Sequence, residues 1–448
     1  MHALALIPGI IATLMLTSSS PEKVFLYLVL PMLLAVPSYY YFPLPGLPDL
    51  NFFHFAALPL FLWWLQHGIR EYKYSFIDLF VFSYVIISII SEFTTMGTKD
   101  GINIIIDRFV QVIIPYLLTK HFFQQPHLRV EILKVMVAIG AILALLSPVE
   151  FRLAIVITDP LQYIWPDASE WSRQGRWGFI RVAATYGHPI LAGLMWSFFA
   201  LFAIWLNKQK AWQYPWVGKA VIILNFAGMA MAMSRGPILG FLAGLVILFV
   251  GWSKKRLNAI IVIALICFML IPPAMAMFLD YIHVDRLSAK TETQESAAYR
   301  KELLDNYIDV IKKKLWLGHG RQGIPVVGGQ KSVDNQYLFI SLLHGVLAMY
   351  LFVAMTIFLS ARLLYYGWTH PPDHKSGQLA WMLTACAGTW FITLATVYMG
   401  GQSEQVVFML AAMASTIGYE KSQGLKMTSV PKTNNIYGLA EWEFQRIL

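Results

Sequence analysis

The stretch SRGPILGFLAGLVILFVGW, residues 234–252, joins a short polar turn to a long apolar run. Its part from 238 to 252 has no charged side chain, and comparable runs occupy residues 76–90, 190–206 and 257–278. Runs of about 20 such residues are typical of helices that cross a bilayer, because lipid offers the backbone no hydrogen-bond partner. The sequence therefore predicts an all-α, polytopic bundle of transmembrane helices with about 12–13 spans.

The amino-acid composition indicates that most of the chain is surrounded by lipid. Hydrophobic residues make up 57% of the 448 residues and charged residues 13%, whereas about a quarter of a soluble domain is charged. The formal net charge of +9 could indicate a nucleic-acid partner. The basic residues gather in short loops, however, and form no continuous stripe. We therefore exclude nucleic acid and expect the lipid bilayer as a partner.

Clusters of lysine and arginine occur in alternate loops and so orient the predicted bundle. Short loops rich in these residues stay in the cytoplasm. Such clusters include Arg70 and Lys73, Lys208 and Lys210, Lys254 to Arg256, and Lys421 and Lys426. The remaining loops are then predicted to lie outside, at about residues 39–51, 93–101, 150–180, 234–237, 279–333 and 399–404. Residues 1–420 form the predicted membrane domain, and residues 421–448 a flexible cytoplasmic tail.

Two of the predicted outside loops are long enough to carry function. Residues 150–180 combine indoles with charged side chains, which suits sugar rings and phosphate and equally suits packing at the membrane interface. In residues 279–333, apolar side chains recur at helical spacing between 295 and 317, which predicts a helix lying over the membrane surface. This apolar set is Leu303, Leu304, Tyr307, Ile308, Ile311 and Leu315.

Four short motifs follow one another between residues 181 and 351. They are Arg181 with Thr185-Tyr186-Gly187-His188-Pro189, then Ser234-Arg235-Gly236, then Arg300 leading to Gly318-His319-Gly320, and finally Asp334-Asn335-Gln336-Tyr337-Leu338 with His344-Gly345. In this order, and on one predicted side of the membrane, they resemble the O-antigen ligase and polymerase superfamily of polytopic bacterial glycosyltransferases.

The resemblance implies a reaction at the periplasmic face of the bacterial inner membrane. Family members act on glycans carried by undecaprenyl pyrophosphate, and they either join repeat units into a polysaccharide or transfer a finished chain to the lipid A core. The expected partners are therefore the donor glycan, a glycan or lipid A core acceptor, and other proteins of polysaccharide assembly. Neither a cofactor nor a metal ion is expected, because the donor is already activated and fixed cations can stabilise the leaving group.

The same chemistry explains why arginines are expected at the site. Negative charge grows on the pyrophosphate as the glycosidic bond breaks, and guanidinium groups bind phosphate oxygens in a bidentate manner. Arg181 and Arg235 are predicted to clamp the pyrophosphate, and Asp334 to orient or deprotonate the acceptor hydroxyl. The predicted substrate-binding residues are Arg300, Arg321, His319, Asn335, Tyr337 and His188.

Asp334 departs from the family pattern. Ligases of this superfamily typically have a histidine at the matching position, where it is thought to act as the base. A carboxylate can also serve as a base, with burial raising its pKa and nearby arginines lowering it. Since the histidine is absent, we predict a polymerase for an exopolysaccharide or O-antigen, with the ligase as the alternative. His344, His188 and His319 remain alternative bases.

Each predicted site residue also has a structural explanation. Arg235 can snorkel from a helix end, Arg181 can bind a headgroup or a loop carboxylate, and Asp334 can cap the following helix. Asp107 and Arg108 can pair with each other or line a cavity. A transporter or flippase of lipid-linked sugars is a second function class, and an assembly protein without chemistry is a third. Charge concentrated on one predicted side argues against a transporter, which offers charge to both faces in turn.

Overall fold

The computed structural model describes residues 2–156, 158–166, 174–282, 292–328, 330 and 332–418. Sixteen α-helices account for most of these residues. In chain order they are α1 Ile7–Ser18, α2 Pro21–Val24, α3 Leu30–Ala35, α4 Phe52–His67, α5 Phe76–Met96, α6 Thr98–Arg108, α7 Ile114–Phe123, α8 Pro126–Leu153, α9 Pro189–Lys208, α10 Pro215–Met231, α11 Arg235–Trp252, α12 Arg256–Ile282, α13 Glu292–Lys313, α14 Gln336–Thr369, α15 Lys375–Thr393 and α16 Gln402–Thr416. The predicted all-α class is confirmed. Helix α13 covers most of the residues predicted to form a surface helix, 295–317, and ends at Lys313. Its position over the membrane surface stays a prediction.

Short elements connect several of these helices. Two antiparallel hairpins pair β1, Tyr41–Phe42, with β2, Leu50–Asn51, and β3, Gly175–Arg176, with β4, Phe179–Ile180. Single 3-10 turns lie at His2–Leu6, Ile69–Glu71 and Asp159–Tyr163, and π-helical turns lie at Phe25–Val29 and Phe109–Ile113. Pro31 and Pro115 each follow a π-helical turn by two residues. The wider turn makes room for the proline ring, which would otherwise meet the carbonyl four residues earlier.

Six of the described helical segments are long and apolar enough to cross a membrane. They are Phe76–Met96, Thr98–Phe123, Pro126–Leu153, Pro189–Lys208, Arg235–Trp252 and Gln336–Thr369. Shorter apolar helices lie at His2–Ser18, Pro215–Met231 and Arg256–Met269. These helices confirm a polytopic bundle. The full count of about 12–13 spans stays a prediction, as does the tail at residues 421–448, which lies outside the described residues.

Helix α9 lies in the core of the bundle, and almost all of its side chains are buried. Trp196 of α9 donates a hydrogen bond from Nε1 to Gly140 O of α8 at 3.0 Å. On another side of the core, Gly240 of α11 allows close approach to Thr389 of α15, whose hydroxyl donates to Gly240 O at 2.9 Å. Small residues at such crossings are the usual basis of helix packing in lipid, where burial of apolar surface gives little driving force.

Segments predicted to share one side of the membrane contact one another. At the predicted outer end, Trp165 donates a hydrogen bond from Nε1 to Tyr41 O at 2.6 Å, which joins two of the predicted outside loops. At the predicted cytoplasmic end, the side chains of Gln209 and Gln378 are hydrogen-bonded at 2.5 Å. Each of these two contacts joins segments that the lysine and arginine clusters assign to the same side, and the orientation of the bundle stays a prediction.

Helix α14 is broken at Gly345, whose φ of 84° lies in the left-handed region. The break frees the carbonyl groups of Leu342 and Leu343, and the N–H groups of His319 and Gly320 donate to them at 2.7 and 2.9 Å. A helix can be broken within the membrane where other protein groups form hydrogen bonds with the backbone groups that the break leaves unpaired. The two glycine-containing motifs near residues 319 and 345 therefore meet in one backbone contact, which docks the segment after α13 onto α14.

We expect Gly345→Ala to destabilise the protein by about 1–3 kcal/mol, because alanine is strained at this φ and its Cβ would overlap the carbonyl of Trp316. The matched control is Gly388→Ala in α15, where an added Cβ would meet the flexible Cδ1 of Ile247 at 3.0 Å. The midpoint of thermal unfolding in detergent, followed by tryptophan fluorescence, measures both variants. Equal midpoints would contradict a structural requirement for glycine at the break.

Candidate functional site

Arg181 and Ser234 connect two of the predicted motifs directly. The Nη2 of Arg181 donates to the Ser234 hydroxyl at 2.7 Å, and its Nη1 donates to the side chain of Gln174. Its Nε reaches the carbonyl of Ala232 at 3.4 Å. Arg181 and Ser234 are both buried. The guanidinium therefore holds the turn between α10 and α11 against the β3–β4 hairpin.

The turn between α10 and α11 presents Arg235. Met233 has a left-handed φ of 45°, and the Ser234 hydroxyl donates back to Ala232 O at 2.9 Å. Glycine is required at 236 because a Cβ there would overlap the side chain of Thr396, which follows α15. Arg235 itself is the first residue of α11 and is exposed, and within the described ranges its side chain has no hydrogen-bond or ion-pair partner. Its donors are available to a ligand.

Arg176 is a further cation at this turn, and the sequence reasoning did not select it. It lies on β3, and its Nη1 donates to Met233 O at 2.6 Å. The hairpin turns through Trp177 and Gly178, both with positive φ, in the manner of a two-residue loop. Arg176 belongs to a predicted outside loop with several charged residues, and nothing in its local sequence distinguished it from its neighbours. The other charged residues of that loop at 167–173 lie outside the described residues.

Arg300 of α13 completes a group of arginines around the turn. It is half-buried. Burial lowers the pKa of its guanidinium, Asp334 raises it, and Arg235 and Arg176 lower it. Burial also lowers the pKa of Arg181, to about 10, with further lowering by Arg176 and Arg300. These guanidinium groups therefore lie near enough to repel one another, and Asp334 offsets part of the repulsion.

Asp334 is not the N-terminal cap of α14. The cap is Asn335, whose side-chain oxygen accepts hydrogen bonds from the N–H groups of Tyr337 and Leu338 at 3.0 and 3.1 Å. Asp334 is half-buried, and its Oδ1 accepts a hydrogen bond from the Ser332 hydroxyl at 2.8 Å. Asn335 therefore caps α14, and helix capping does not explain the presence of an aspartate at position 334.

Tyr398 lies near enough to Asp334 for the charge of the carboxylate to act on its hydroxyl, and the sequence reasoning did not select it. Burial raises the pKa of its hydroxyl to about 12, and the negative charge of Asp334 adds to the shift. Its ring packs against Phe339 with centroids 4.9 Å apart. Tyr398 directly precedes the predicted outside loop of residues 399–404, and an isolated tyrosine at a helix end gave no signal distinct from an interfacial anchor.

His188 remains close to the arginine group but serves as a helix cap. Its Nδ1 accepts a hydrogen bond from Ile190 N at 3.2 Å at the start of α9. Burial lowers the pKa of His188 to about 4, and the charge of Arg181 contributes. The imidazole is therefore neutral near pH 7 and adds no positive charge. Its predicted role in binding substrate stays a prediction.

Two other predicted substrate-binding residues use their polar groups within the fold. His319 donates from Nε2 to Val310 O at 3.1 Å and is buried between α13 and α14. The hydroxyl of Tyr337 donates to Phe391 O at 2.7 Å. Both contacts anchor the segments that carry Arg300 and Asp334. Substrate contacts by these two side chains stay predictions.

Arg321 belongs to a different group of charges. Its guanidinium pairs with Asp107, and its N–H donates to Glu92 Oε1 at 3.2 Å. Asp107 also pairs with Arg108 at 2.9 Å, and Arg108 pairs with Glu404 at 2.5 Å. This network ties the segment after α13 to α5, α6 and α16. The pairing of Asp107 with Arg108 that the sequence suggested is therefore present, and Arg321 has a structural partner.

The arginine group suits an anion with several oxygen atoms. Arg176, Arg181, Arg235 and Arg300 supply positive charge at one end of the bundle. Planar guanidinium groups bind phosphate and carboxylate oxygens in a bidentate manner. Among the residues that the structure describes, no group of three His, Cys, Asp or Glu side chains could hold a metal ion. Metal independence of the reaction stays a prediction.

The bundle and the arginine group define a multi-pass membrane protein with a cationic site at one end. A protein-family model described as O-antigen ligase matches residues 220–353, a segment that includes Arg235, Arg300 and Asp334 but not Arg181. The match supports membership of the chain in the O-antigen ligase and polymerase family, and it covers three of the four motifs that carry the resemblance. The motif at residues 181–189 lies outside the matched segment. The match and the six membrane-spanning segments support an O-antigen ligase or polymerase type of membrane function. No curated protein matches the chain.

We expect Arg181→Gln to lower the free energy of unfolding by about 1–3 kcal/mol, because the buried hydrogen bonds from the guanidinium to the Ser234 hydroxyl and the Gln174 side chain are lost. Arg235→Gln is the matched control. Arg235 is exposed, so its replacement should change the free energy of unfolding by less than about 0.5 kcal/mol. Thermal unfolding of the two purified variants in the same detergent makes the comparison. A similar loss in both would contradict the separate structural role of Arg181.

Proposed function

We propose that the protein polymerises repeat units of an exopolysaccharide or O-antigen, carried on undecaprenyl pyrophosphate, at the periplasmic face of the inner membrane. The observation that carries the proposal is the group of four arginines, Arg176, Arg181, Arg235 and Arg300, with Asp334 beside it. A pyrophosphate leaving group develops negative charge in the transition state, and preorganised cations stabilise that charge.

Within the proposed site the arginines have different tasks. Arg235 is exposed and its donors are unused within the described chain, so it is the proposed clamp on the pyrophosphate. Arg300 is half-buried and adds a second cation from α13. Arg181 and Arg176 contribute charge, but their hydrogen bonds to the α10–α11 turn make them positioning residues for Arg235.

The proposed reaction is a direct displacement. An acceptor sugar hydroxyl gives its proton to the Asp334 carboxylate while its oxygen attacks the anomeric carbon of the donor sugar. The bond between that carbon and the phosphate oxygen breaks, and the electron pair leaves with undecaprenyl pyrophosphate. One displacement inverts the anomeric configuration. The proximity of Asp334 to Arg300 supports this assignment, since it brings a base beside the cations that hold the leaving group.

Helix α13 is the proposed lid of the site. Its residues Leu303, Tyr307 and Val310 are buried and pack against Val333 and Leu342 at the start of α14. This apolar contact fixes the helix that carries Arg300. Closing such a helix over a bound donor would exclude water, which protects the activated sugar from hydrolysis and strengthens the electrostatic interactions.

A carboxylate at 334, where related ligases typically have a histidine, supports the polymerase over the ligase. The two activities leave different intermediates when they fail. A polymerase defect leaves single repeat units on the lipid carrier, whereas a ligase defect leaves long carrier-linked chains that are missing from lipid A. The glycan profile of a deletion strain distinguishes the two.

We expect Arg235→Gln and Asp334→Asn to abolish polymer and to accumulate single lipid-linked repeat units when each complements a deletion strain. Loss of a transition-state cation or a general base lowers the rate by roughly 10²–10⁴-fold. The matched control is Lys301→Gln, which removes an exposed charge next to Arg300 on α13 and should restore the wild-type profile. Membrane expression is checked for every strain.

Three results would contradict this proposal. Long carrier-linked chains missing from lipid A would assign the ligase reaction. A normal profile for both variants at wild-type expression would remove Arg235 and Asp334 from catalysis and favour a transporter or an assembly protein. A product that retains the anomeric configuration of the donor would exclude a single displacement.

A further inference from the structure

A second basic site lies at the predicted cytoplasmic end of the bundle, where α11 connects to α12. A cavity of about 400 Å³ opens there, lined by Lys254, Lys255, Arg256, Leu257, Asn258, Trp368 and Pro372. The lining residues that the structure describes include three consecutive cations and no carboxylate. The cavity is therefore electropositive, and it is separated from the arginine site by the length of a transmembrane helix.

Arg256 builds the wall of this cavity. Its Nη1 and Nη2 donate to the carbonyls of Trp368 and His370 at 2.8 and 3.0 Å, and its Nε donates to Gly251 O at 3.2 Å. These carbonyls belong to the ends of α11 and α14, where a cation is stabilised by the helix dipoles. Within the described part of the chain, the hydrogen-bond partners of Arg256 are these neutral carbonyls, and none of them is an acidic group.

Lys254 and Lys255 supply the charge that a ligand would meet. Both side chains are exposed, and neither has a hydrogen-bond or ion-pair partner within the described ranges. They directly precede the first turn of α12, which adds unpaired N–H groups of its own. Lysine ammonium groups and a helix start attract phosphate groups. The site therefore suits a phosphate-containing anion.

The surface next to the cavity favours a lipid over a free anion. Leu257 lines the cavity and is 66% exposed. From it a run of exposed apolar side chains continues along α12: Ile260, Ile261, Val262, Leu265, Ile266, Phe268 and Met269. Trp368 is also exposed at the rim, in the manner of an interfacial indole. A ligand with a phosphate headgroup and acyl chains matches both parts of this surface.

We propose that this site binds an anionic phospholipid, with its phosphate headgroup at Lys254 and Lys255 and its acyl chains along α12. The charge pattern of the loops assigns the site to the cytoplasmic leaflet, where clusters of lysine and arginine near membrane helices attract anionic lipids. The site does not depend on the proposed glycosyl transfer, since it shares no residue with the arginine group.

Native mass spectrometry of the purified full-length protein in detergent tests the site. The protein is titrated with phosphatidylglycerol, with phosphatidylcholine and with inorganic phosphate. We expect phosphatidylglycerol to bind in preference, and the variant Lys254→Gln/Lys255→Gln to bind it roughly tenfold more weakly or worse, because each lysine near the surface contributes several-fold. Its unfolding midpoint in lipid-free detergent should equal that of the wild type, since both side chains are exposed.

The matched control is Lys210→Gln/Lys219→Gln, which removes two exposed lysines outside the cavity at the predicted cytoplasmic end, one between α9 and α10 and one in α10. It should leave the affinity for phosphatidylglycerol within about twofold of the wild type. An equally weakened affinity for phosphatidylglycerol in both double variants would mean that the positive charge of the whole surface attracts the lipid. That result would overturn the proposal. Displacement of the lipid by millimolar inorganic phosphate would make a free anion the ligand. A stable dimer that forms at the expense of lipid binding would assign the α12 face to a second copy of the chain.

Discussion

The hydrogen bond from the Arg181 guanidinium to the Ser234 hydroxyl holds the cationic site together. Gathering guanidinium groups costs free energy through burial and through mutual repulsion, and the lowered pKa values of Arg181 and Arg300 reflect both costs. The fold uses Arg181 as a hydrogen-bonded structural cation and leaves the adjacent Arg235 exposed, with its donors unused in the described chain. One arginine that is hydrogen-bonded within the protein lies next to another whose donors are unused. This arrangement is expected where an anionic substrate binds and supplies the negative charge.

The remaining contacts of the outer end fix the segments that carry Arg300 and Asp334. The broken helix at Gly345 docks the segment after α13 through backbone hydrogen bonds. The network from Arg321 through Asp107 ties the same segment to membrane helices. Both contacts join parts of the protein, and a substrate contact by Arg321 stays a prediction. Both limit how far α13 can move, which a lid needs if it is to return Arg300 to the same position in each cycle.

The helical class was predictable because apolar run length and charge patterning act locally in the sequence. Three of the four arginines, Arg181, Arg235 and Arg300, were also selected from the sequence. The partners of those residues were not predictable. Asp334 and Asn335 are both good caps in adjacent positions, and only the backbone geometry assigns the cap to Asn335. The pair of Arg321 and Asp107 joins residues far apart in the chain, and Arg176 depends on a hairpin that folds back onto the α10–α11 turn. Such contacts arise from tertiary packing and leave no local pattern.

The most direct test of a pyrophosphate-binding transfer site uses purified protein in lipid nanodiscs with a synthetic undecaprenyl-pyrophosphate repeat unit as both donor and acceptor. The release of free undecaprenyl pyrophosphate is followed by mass spectrometry in the presence of a metal chelator. We expect release by the wild type and a rate roughly 10²–10³-fold lower for Arg235→Gln, the loss typical when one transition-state donor is removed. An equal rate of release by Arg235→Gln would mean that Arg235 does not stabilise the leaving pyrophosphate.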